Sequence, residues 1–463
     1  MAQFETSLRQ AWSPEMPAIP AHLKNYQQAW EDTFSATPVE ATGEEFLRAA
    51  RMAPVLLVSD FHASERSRRG LATLLAAMPL DQPVNLVLEL LPLGTTLTAQ
   101  LAIAGVAPPL VTGEPLEEAY GPALQLLAER KGTIIGAWSD GSIQHRDRVA
   151  TDLLLRLRQP HRASKTIYHG GDWHMADAHL PKLLREAELE PMVIHQSPEP
   201  LWQARGIHQG ADHLKLSLPG HWAWMETPPL HLWAALLQDM RQGDEEELQE
   251  AMGHLVAAAA QCFADLIGLE APGMELTLFP RRRWHEFHQQ LPTIWQEALS
   301  ADHPPKRDLF HPRRPWLWTP RSADLNLLTR AAAHLIICDQ RVVQDVSMQA
   351  ELRRSAFRHA AARVANPFLR KLDARTEAEA LFAGTDQALV CALALKTLRM
   401  EQLDRESLNP ALEVLATRVW GSQLGHGILA QRNAGPADLR HLLFGEGEGF
   451  DWRALTATIL AAS

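Results

Sequence analysis

The sequence predicts an α/β fold: a mostly parallel sheet with helices on both faces, followed by a large all-helical C-terminal region. Three observations carry this. Short, non-alternating apolar runs recur between residues 51 and 200. Amphipathic stretches of helical period separate them. From about residue 220 the runs stop and only the helical period continues. Strands buried on both faces read as continuous apolar runs, and strand–helix alternation implies parallel crossovers.

Residues 1–50 read as a helical lead-in, broken near Pro17 and Pro20. Residues 51–220 form the predicted α/β domain. Its strands are Pro54–Ser59, Val84–Glu89, Thr133–Trp138, Lys165–Tyr168 and Pro191–His195. A helix follows Ser64, where Leu71, Leu74, Leu75 and Met78 share one face. Residues 116–131, 144–158 and 176–188 supply three more helices. Residues 221–301 extend the domain as helix, with Asp244–Glu247 at a helix start that favours acidic residues. Pro304, Pro305, Pro312, Pro315 and Pro320 mark a linker at 302–320. The helical domain occupies 321–463, with helices at 322–343, 347–364, 376–398 and 406–419.

Composition narrows the function. The chain has 463 residues, 46% of them hydrophobic, ample for a large core. Its net charge of −11 argues against a nucleic-acid partner. Cys262, Cys338 and Cys391 are far apart and form no CxxC, so they read as buried free thiols rather than a disulfide framework or zinc finger. The N-terminus resembles neither a signal peptide nor a lipoprotein anchor, and no apolar run is long enough for a membrane span. A soluble, cytoplasmic protein with no membrane partner is expected.

One pattern occurs twice. Ser59-Asp60-Phe61-His62 closes the first strand, and Gly171-Asp172-Trp173-His174 closes the fourth. Ligands bind at the carboxyl ends of strands in open parallel sheets. Glu89 ends the second strand, and burying it there is costly without a partner. Asp60, His62, Glu89, Asp172 and His174 are therefore expected to line one crevice, with Arg146 as the internal counter-charge. Tyr168 and His169 are further ligand-binding candidates, although adjacent strand residues face opposite sides and one of them belongs to the core. His179, His195, His208, His213 and His221 read as structural. The helix carrying Arg353, Arg354, Arg358, His359 and Arg363 has a basic face that either docks on the acidic α/β domain or binds an anion; docking is the preferred reading.

Ser59-Asp60-Phe61-His62 resembles the opening motif of the metallophosphoesterases, but no Gly-Asn-His block occurs. A second resemblance covers residues 54–195. Ser59-Asp60-Phe61-His62, Leu88-Glu89, Arg146-Asp147 and Gly171-Asp172-Trp173-His174-Met175 follow, in order and strand context, the motifs of the ChaN-like branch of the haem-binding uptake/Tiki superfamily, which also holds the erythromycin esterases. Ser59 stands where that family has glycine, and Asp60 where it has glutamate. Trp224–Trp233 resembles the family's segment after the second His motif. Ser355–Pro367 resembles the helical tail of long bacterial relatives.

The resemblance implies a protein that binds haem or another iron-containing small-molecule ligand at the sheet's carboxyl edge, with a homodimer as one way of enclosing it. The alternative is a hydrolase with His62, Glu89, Arg146 and His174 at catalytic positions. Asp60, Tyr168, His169 and Asp172 then bind ligand, and a divalent metal is an option where His and carboxylate meet. A non-catalytic scaffold with a degenerate site is the third reading.

Overall fold

The apolar runs become the central strands of one sheet. A computed structural model describes residues 2–15, 18–62, 65–79, 82–158, 164–205, 212–239, 245–319, 324–340, 348–366, 369–382 and 409–430, together with 391, 395, 439 and 440. Expectations for His208, Pro320, Pro367 and most of 383–408 lie outside the described residues. The chain divides into two units, Pro17–Leu232 and Met1–Met16 with Trp233–Ser463.

In Pro17–Leu232 the strands are β1 (Val39–Ala41), β2 (Val55–Asp60), β3 (Val84–Pro92), β4 (Thr96–Thr98), β5 (Thr133–Trp138), β6 (Lys165–Gly171), β7 (Met192–Gln196), β8 (His213–Lys215) and β9 (His221–Trp224). They form one sheet in the order β1-β8-β9-β7-β2-β6-β3-β5-β4. The six strands from β9 to β5 pair in parallel. The edges β4, β8 and β1 are antiparallel. The α/β architecture with a mostly parallel sheet is thus observed.

Side chains alternate between two cores, as the period of two requires. Leu56, Val58, Leu86, Leu88 and Ile167 face the helices Glu65–Ala76 and Leu116–Glu129. Val55, Leu57, Val87 and Tyr168 face Ile143–Arg158 and Leu180–Glu186. Lys165 is buried at the start of β6, and its ammonium donates to the carbonyls of Ala50, Arg51 and Ala53 at the end of the helix Gly43–Met52. This satisfies orphan carbonyls of a helix C-terminus with a cation, the sign the dipole favours.

The second unit is mainly helical. Its described helices include Glu245–Ile267, Leu325–Asp339, Met348–Ala365, Ala374–Leu381 and Pro410–Ala430. Ala2–Trp12 belongs to it: the Phe4 and Phe263 rings meet edge to face at 5.1 Å. The all-helical expectation needs one correction. A three-stranded sheet of β10 (Thr277–Pro280), β11 (Leu309–Phe310) and β12 (Trp316–Thr319) occupies the stretch read as helical extension and proline-rich linker. Pro312 and Pro315 lie between β11 and β12, and Trp316-Leu-Trp carries the pairing. Cys262, Cys338 and Cys391 are buried and unbonded. Among the described residues, no helix is long and apolar enough to cross a membrane.

Candidate active site at the carboxyl edge of the sheet

Strand order brings the motifs together. β6 lies between β2 and β3, with Asp60 level with Gly171 and Leu88 level with His169. The two small–Asp–aromatic–His motifs and Glu89 therefore end on three adjacent strands. Alternation then sends Asp60 to the side of the helix Glu65–Ala76 and Glu89 to the side of Ile143–Arg158. His62 and the Gly170-Gly171 pair lie between them.

Glu89 is the hub. It is 2% exposed and accepts three donors: the Gly171 amide at 2.6 Å, Arg146 Nη1 at 3.1 Å and His174 Nε2 at 3.1 Å. His174 Nδ1 donates in turn to Asp147 Oδ1. With a carboxylate on each ring nitrogen, both nitrogens donate, so His174 is an imidazolium. Burial opposes that charge, but Glu89 and Asp147 raise its pKa to about 9. Burial likewise opposes ionisation of Glu89, and His174, His62 and the Gly171 amide hold its carboxyl far below the usual range. The Arg146 guanidinium also lies 4.8 Å above the Trp138 ring.

The other half of the site is a dyad. Asp60 Oδ2 lies 2.8 Å from His62 Nδ1, and Ser67 Oγ donates to Asp60 Oδ1. Burial opposes the Asp60 charge, but His169, His62 and Ser67 keep its carboxyl well below the usual range. His62 is pushed the opposite way: burial lowers its pKa, while the Asp60 hydrogen bond and charge and then Glu89 raise it. His62 Nε2 stands 3.8 Å from Glu89 Oε2, beyond hydrogen-bond reach, and 37% of the side chain is exposed. Asp60, Glu89 and His174 are nearly buried, so the group meets solvent through His62 and, to a lesser extent, Arg146.

Gly171 sets the spacing. A Cβ there would lie 3.3 Å from His62 Nε2, 3.5 Å from Glu89 Oε2 and 3.5 Å from His174 Cδ2. A Cβ at Gly170 would come within 2.7 Å of Glu89 Oε2. The glycine pair lets a strand pass under three charged groups without filling the space between them.

The remaining candidates are placed differently. Asp172 turns away from Glu89: its Oδ2 accepts the Trp30 indole N–H at 2.6 Å, and its Oδ1 lies 2.8 Å from His195 Nδ1. His195 Nε2 continues to His221 Nδ1 at 3.2 Å. His169 lies on the opposite face from Tyr168, bonded to the Tyr120 hydroxyl at 3.2 Å. Tyr168 sits in the other core, its hydroxyl edge close to Gly170. Both are about 1% exposed.

Sequence reasoning missed three partners. Tyr26 donates to Asp147 Oδ2 at 2.7 Å, stacks on His179 at 3.7 Å, and lies on the helix Lys24–Asp32 with Trp30. Asp147 figures in the sequence only as the neighbour of Arg146 in a motif. The signal that could have found them is Tyr26 and Trp30 at i and i+4, two aromatics with polar handles on one helix face. Among the described residues, no group of three or more His, Cys, Asp or Glu is arranged to hold a metal ion. Comparison with protein-family models, with curated proteins and with solved structures gives no match.

Proposed function

We propose that the α/β unit is a hydrolase of a small-molecule ester or related acyl compound, with His62 as its general acid–base group. One observation carries the reading: His62 Nδ1 is held by Asp60 at 2.8 Å, while Nε2 is partly exposed opposite Glu89. In the neutral ring the proton sits on Nδ1, toward Asp60, and Nε2 presents its lone pair. A water beside Nε2 loses a proton to it while attacking an acyl carbon. The imidazolium so formed lies between Asp60 and Glu89 and returns its proton to the leaving group. Arg146 places a positive charge on the same side for negative charge developing on the substrate. His174 has no free nitrogen for proton transfer; it positions Glu89. The ChaN-like resemblance points to His62, Glu89, Arg146 and His174 as well.

The test is turnover of p-nitrophenyl acetate across a pH series. His62→Gln should lower kcat by about 10²- to 10⁴-fold, the typical contribution of a general acid–base group, with the fold intact by circular dichroism. Equal rates for the wild type and His62→Gln sink the proposal.

A second reading, haem binding, rests on the same exposed imidazole. A haem needs an accessible ligand and an apolar wall. His62 offers the first. Asp60, Glu89 and Arg146 around it are charged and fit the second poorly. A Soret band that appears on adding haem and is lost in His62→Gln supports that reading over hydrolysis. Neither turnover nor a Soret band favours the scaffold.

A further inference from the structure

A second cluster of buried charge lies in the mainly helical unit. The helix Met348–Ala365 presents Glu351, Ser355, Arg358 and His359 on one face, at i, i+4, i+7 and i+8. It packs on Pro410–Ala430 through glycines: a Cβ on Gly421 would sit 2.5 Å from Ser355 Cβ. Between them opens a small crevice lined by Arg330, Ser355, Arg358, His359, Arg418 and Ser422 among others.

The ion pairs around it do not balance. Arg354 Nε and Arg358 Nη2 share Glu351, at 2.8 and 2.6 Å. Arg418 and Arg307 share Glu377, at 2.5 and 3.5 Å. Arg330 pairs with Asp308 at 3.3 Å. Among the described residues, Arg307, Arg330, Arg358 and Arg418 thus face three carboxylates, Asp308, Glu351 and Glu377, and Arg354 shares Glu351 as well. Arg313 and Glu413, which line the neighbouring crevice, add one charge of each sign. Arginine does not deprotonate in proteins, so the excess cannot be relieved by titration. His359 beside it stays neutral: burial and then Arg330, His426 and Arg363 push its pKa down to about 3.

Arg307 Nε, Asp308 Oδ2 and Glu377 Oε2 are buried in this cluster without a hydrogen-bond partner, and among the described residues lining the crevice Arg358 carries such a donor. Arg358 is 7% exposed, lines the crevice, and its Nη1 is buried with no hydrogen-bond partner. A buried guanidinium donor without an acceptor is costly, and an anion in the crevice would supply that acceptor. Hydroxyls accompany it. Ser422 Oγ accepts the Leu372 amide at 2.8 Å and lies 3.5 Å from His359 Nε2, so an anion would compete with that ring for its proton.

From this geometry we infer that the crevice between Met348–Ala365 and Pro410–Ala430 is a binding site for a tetrahedral oxyanion of the phosphate class, held by Arg358, Arg330, Arg418 and Ser422. An anion offsets the positive excess. Arginine forks and a hydroxyl suit its several oxygens better than they suit a halide. The anion is either free phosphate or the phosphoryl group of a monoester, and both present the same oxygens to these donors.

Calorimetric titration of the whole protein separates the outcomes. The probes are inorganic phosphate and phenyl phosphate at neutral pH. Saturable binding is expected, weakened about tenfold or more by Arg358→Gln, the effect of one charge-assisted hydrogen bond. Arg358→Lys keeps the charge beside Glu351 but removes the second donor of the fork; it should weaken binding similarly and decides the matter where Arg358→Gln does not fold. Arg146→Gln, at the sheet edge, should leave phosphate affinity unchanged. Tighter binding of phenyl phosphate identifies a monoester, and tighter binding of inorganic phosphate the free ion. No saturable binding of either probe to the wild type, unchanged affinity in the folded Arg358 variants, or loss of binding in Arg146→Gln alone overturns the inference.

Discussion

The two charge clusters solve one problem with different chemistry. At the sheet edge, Glu89 is neutralised by Arg146 and by a histidine, His174, that can give up its proton. In the helical unit, Glu351 is neutralised by two arginines that cannot. Both carboxylates are more than nine-tenths buried. The first cluster can adjust its charge with pH or on losing a member. The second is fixed, and any imbalance in it calls for a counter-ion. A site that moves protons needs the first kind of construction; a site that holds an ion of constant charge is served by the second.

Removing the central carboxylate should show the difference most strongly. Glu351→Gln leaves Arg354 and Arg358 buried side by side, and breaking a buried pair this way costs about 3–5 kcal/mol. Glu89→Gln leaves His174 free to lose a proton to solvent, so the cost should fall to about 1–3 kcal/mol, that of imperfectly satisfied hydrogen bonds. Urea denaturation of both variants measures this. Equal losses would mean that titration of His174 does nothing to relieve the sheet-edge site.

The same contrast explains what the sequence reveals by itself. The small–Asp–aromatic–His motifs and Glu89 are legible because each directly follows an apolar run, and parallel strands share one edge. β5 coincides with its run, Thr133–Trp138. The edge strands β1, β4 and β8 are not legible: at three residues each they carry no apolar run. β11 and β12 lie among prolines that suggest a linker. The basic face of Met348–Ala365 is visible as a pattern, and docking on the acidic domain is the reading it favours. In the structure Arg354 and Arg358 are buried against Glu351 of their own helix, a pairing at i+3 and i+7 that sequence shows only once burial is known.

A pH series sharpens the comparison at intermediate size. His174 has a folded pKa of about 9 against 6.5 for a free imidazole. A raised pKa means the protonated form is bound more tightly by the fold. The stability it adds is complete below pH 6.5 and is lost as pH rises toward 9. A shift of this size corresponds to about 3 kcal/mol. The stability difference between wild type and His174→Gln should therefore shrink from pH 6.5 to 9. The difference between wild type and Glu351→Gln should stay constant there, because the arginines keep Glu351 ionised. It should decline only in acid, as the Glu351 carboxylate takes up its proton. Parallel pH curves for the two variants between 6.5 and 9 would show that His174 is not the titrating member.

The smallest effect concerns a neutral donor that belongs to the sheet-edge cluster alone. The Tyr26 hydroxyl reaches Asp147 from 121 residues away, a pairing that no local pattern announces. Burial first, and then the hydrogen bond and charge of Asp147, push its own pKa far up, so it stays a phenol and always donates. Tyr26→Phe removes that proton and leaves one oxygen of a 2%-exposed carboxylate unsatisfied. The expected loss of stability is about 1 kcal/mol, one neutral donor to a buried acceptor. The more telling readout is electrostatic. Asp147 without its phenol presents more negative charge to His174, so the His174 pKa should rise further, followed by NMR titration of its ring protons. The loss of stability in Tyr26→Phe should then be smaller near pH 7 than above the His174 pKa, since the imidazolium compensates Asp147 only while it is protonated. A His174 pKa that falls or stays fixed in this variant would place Tyr26 outside the cluster as a packing residue against His179.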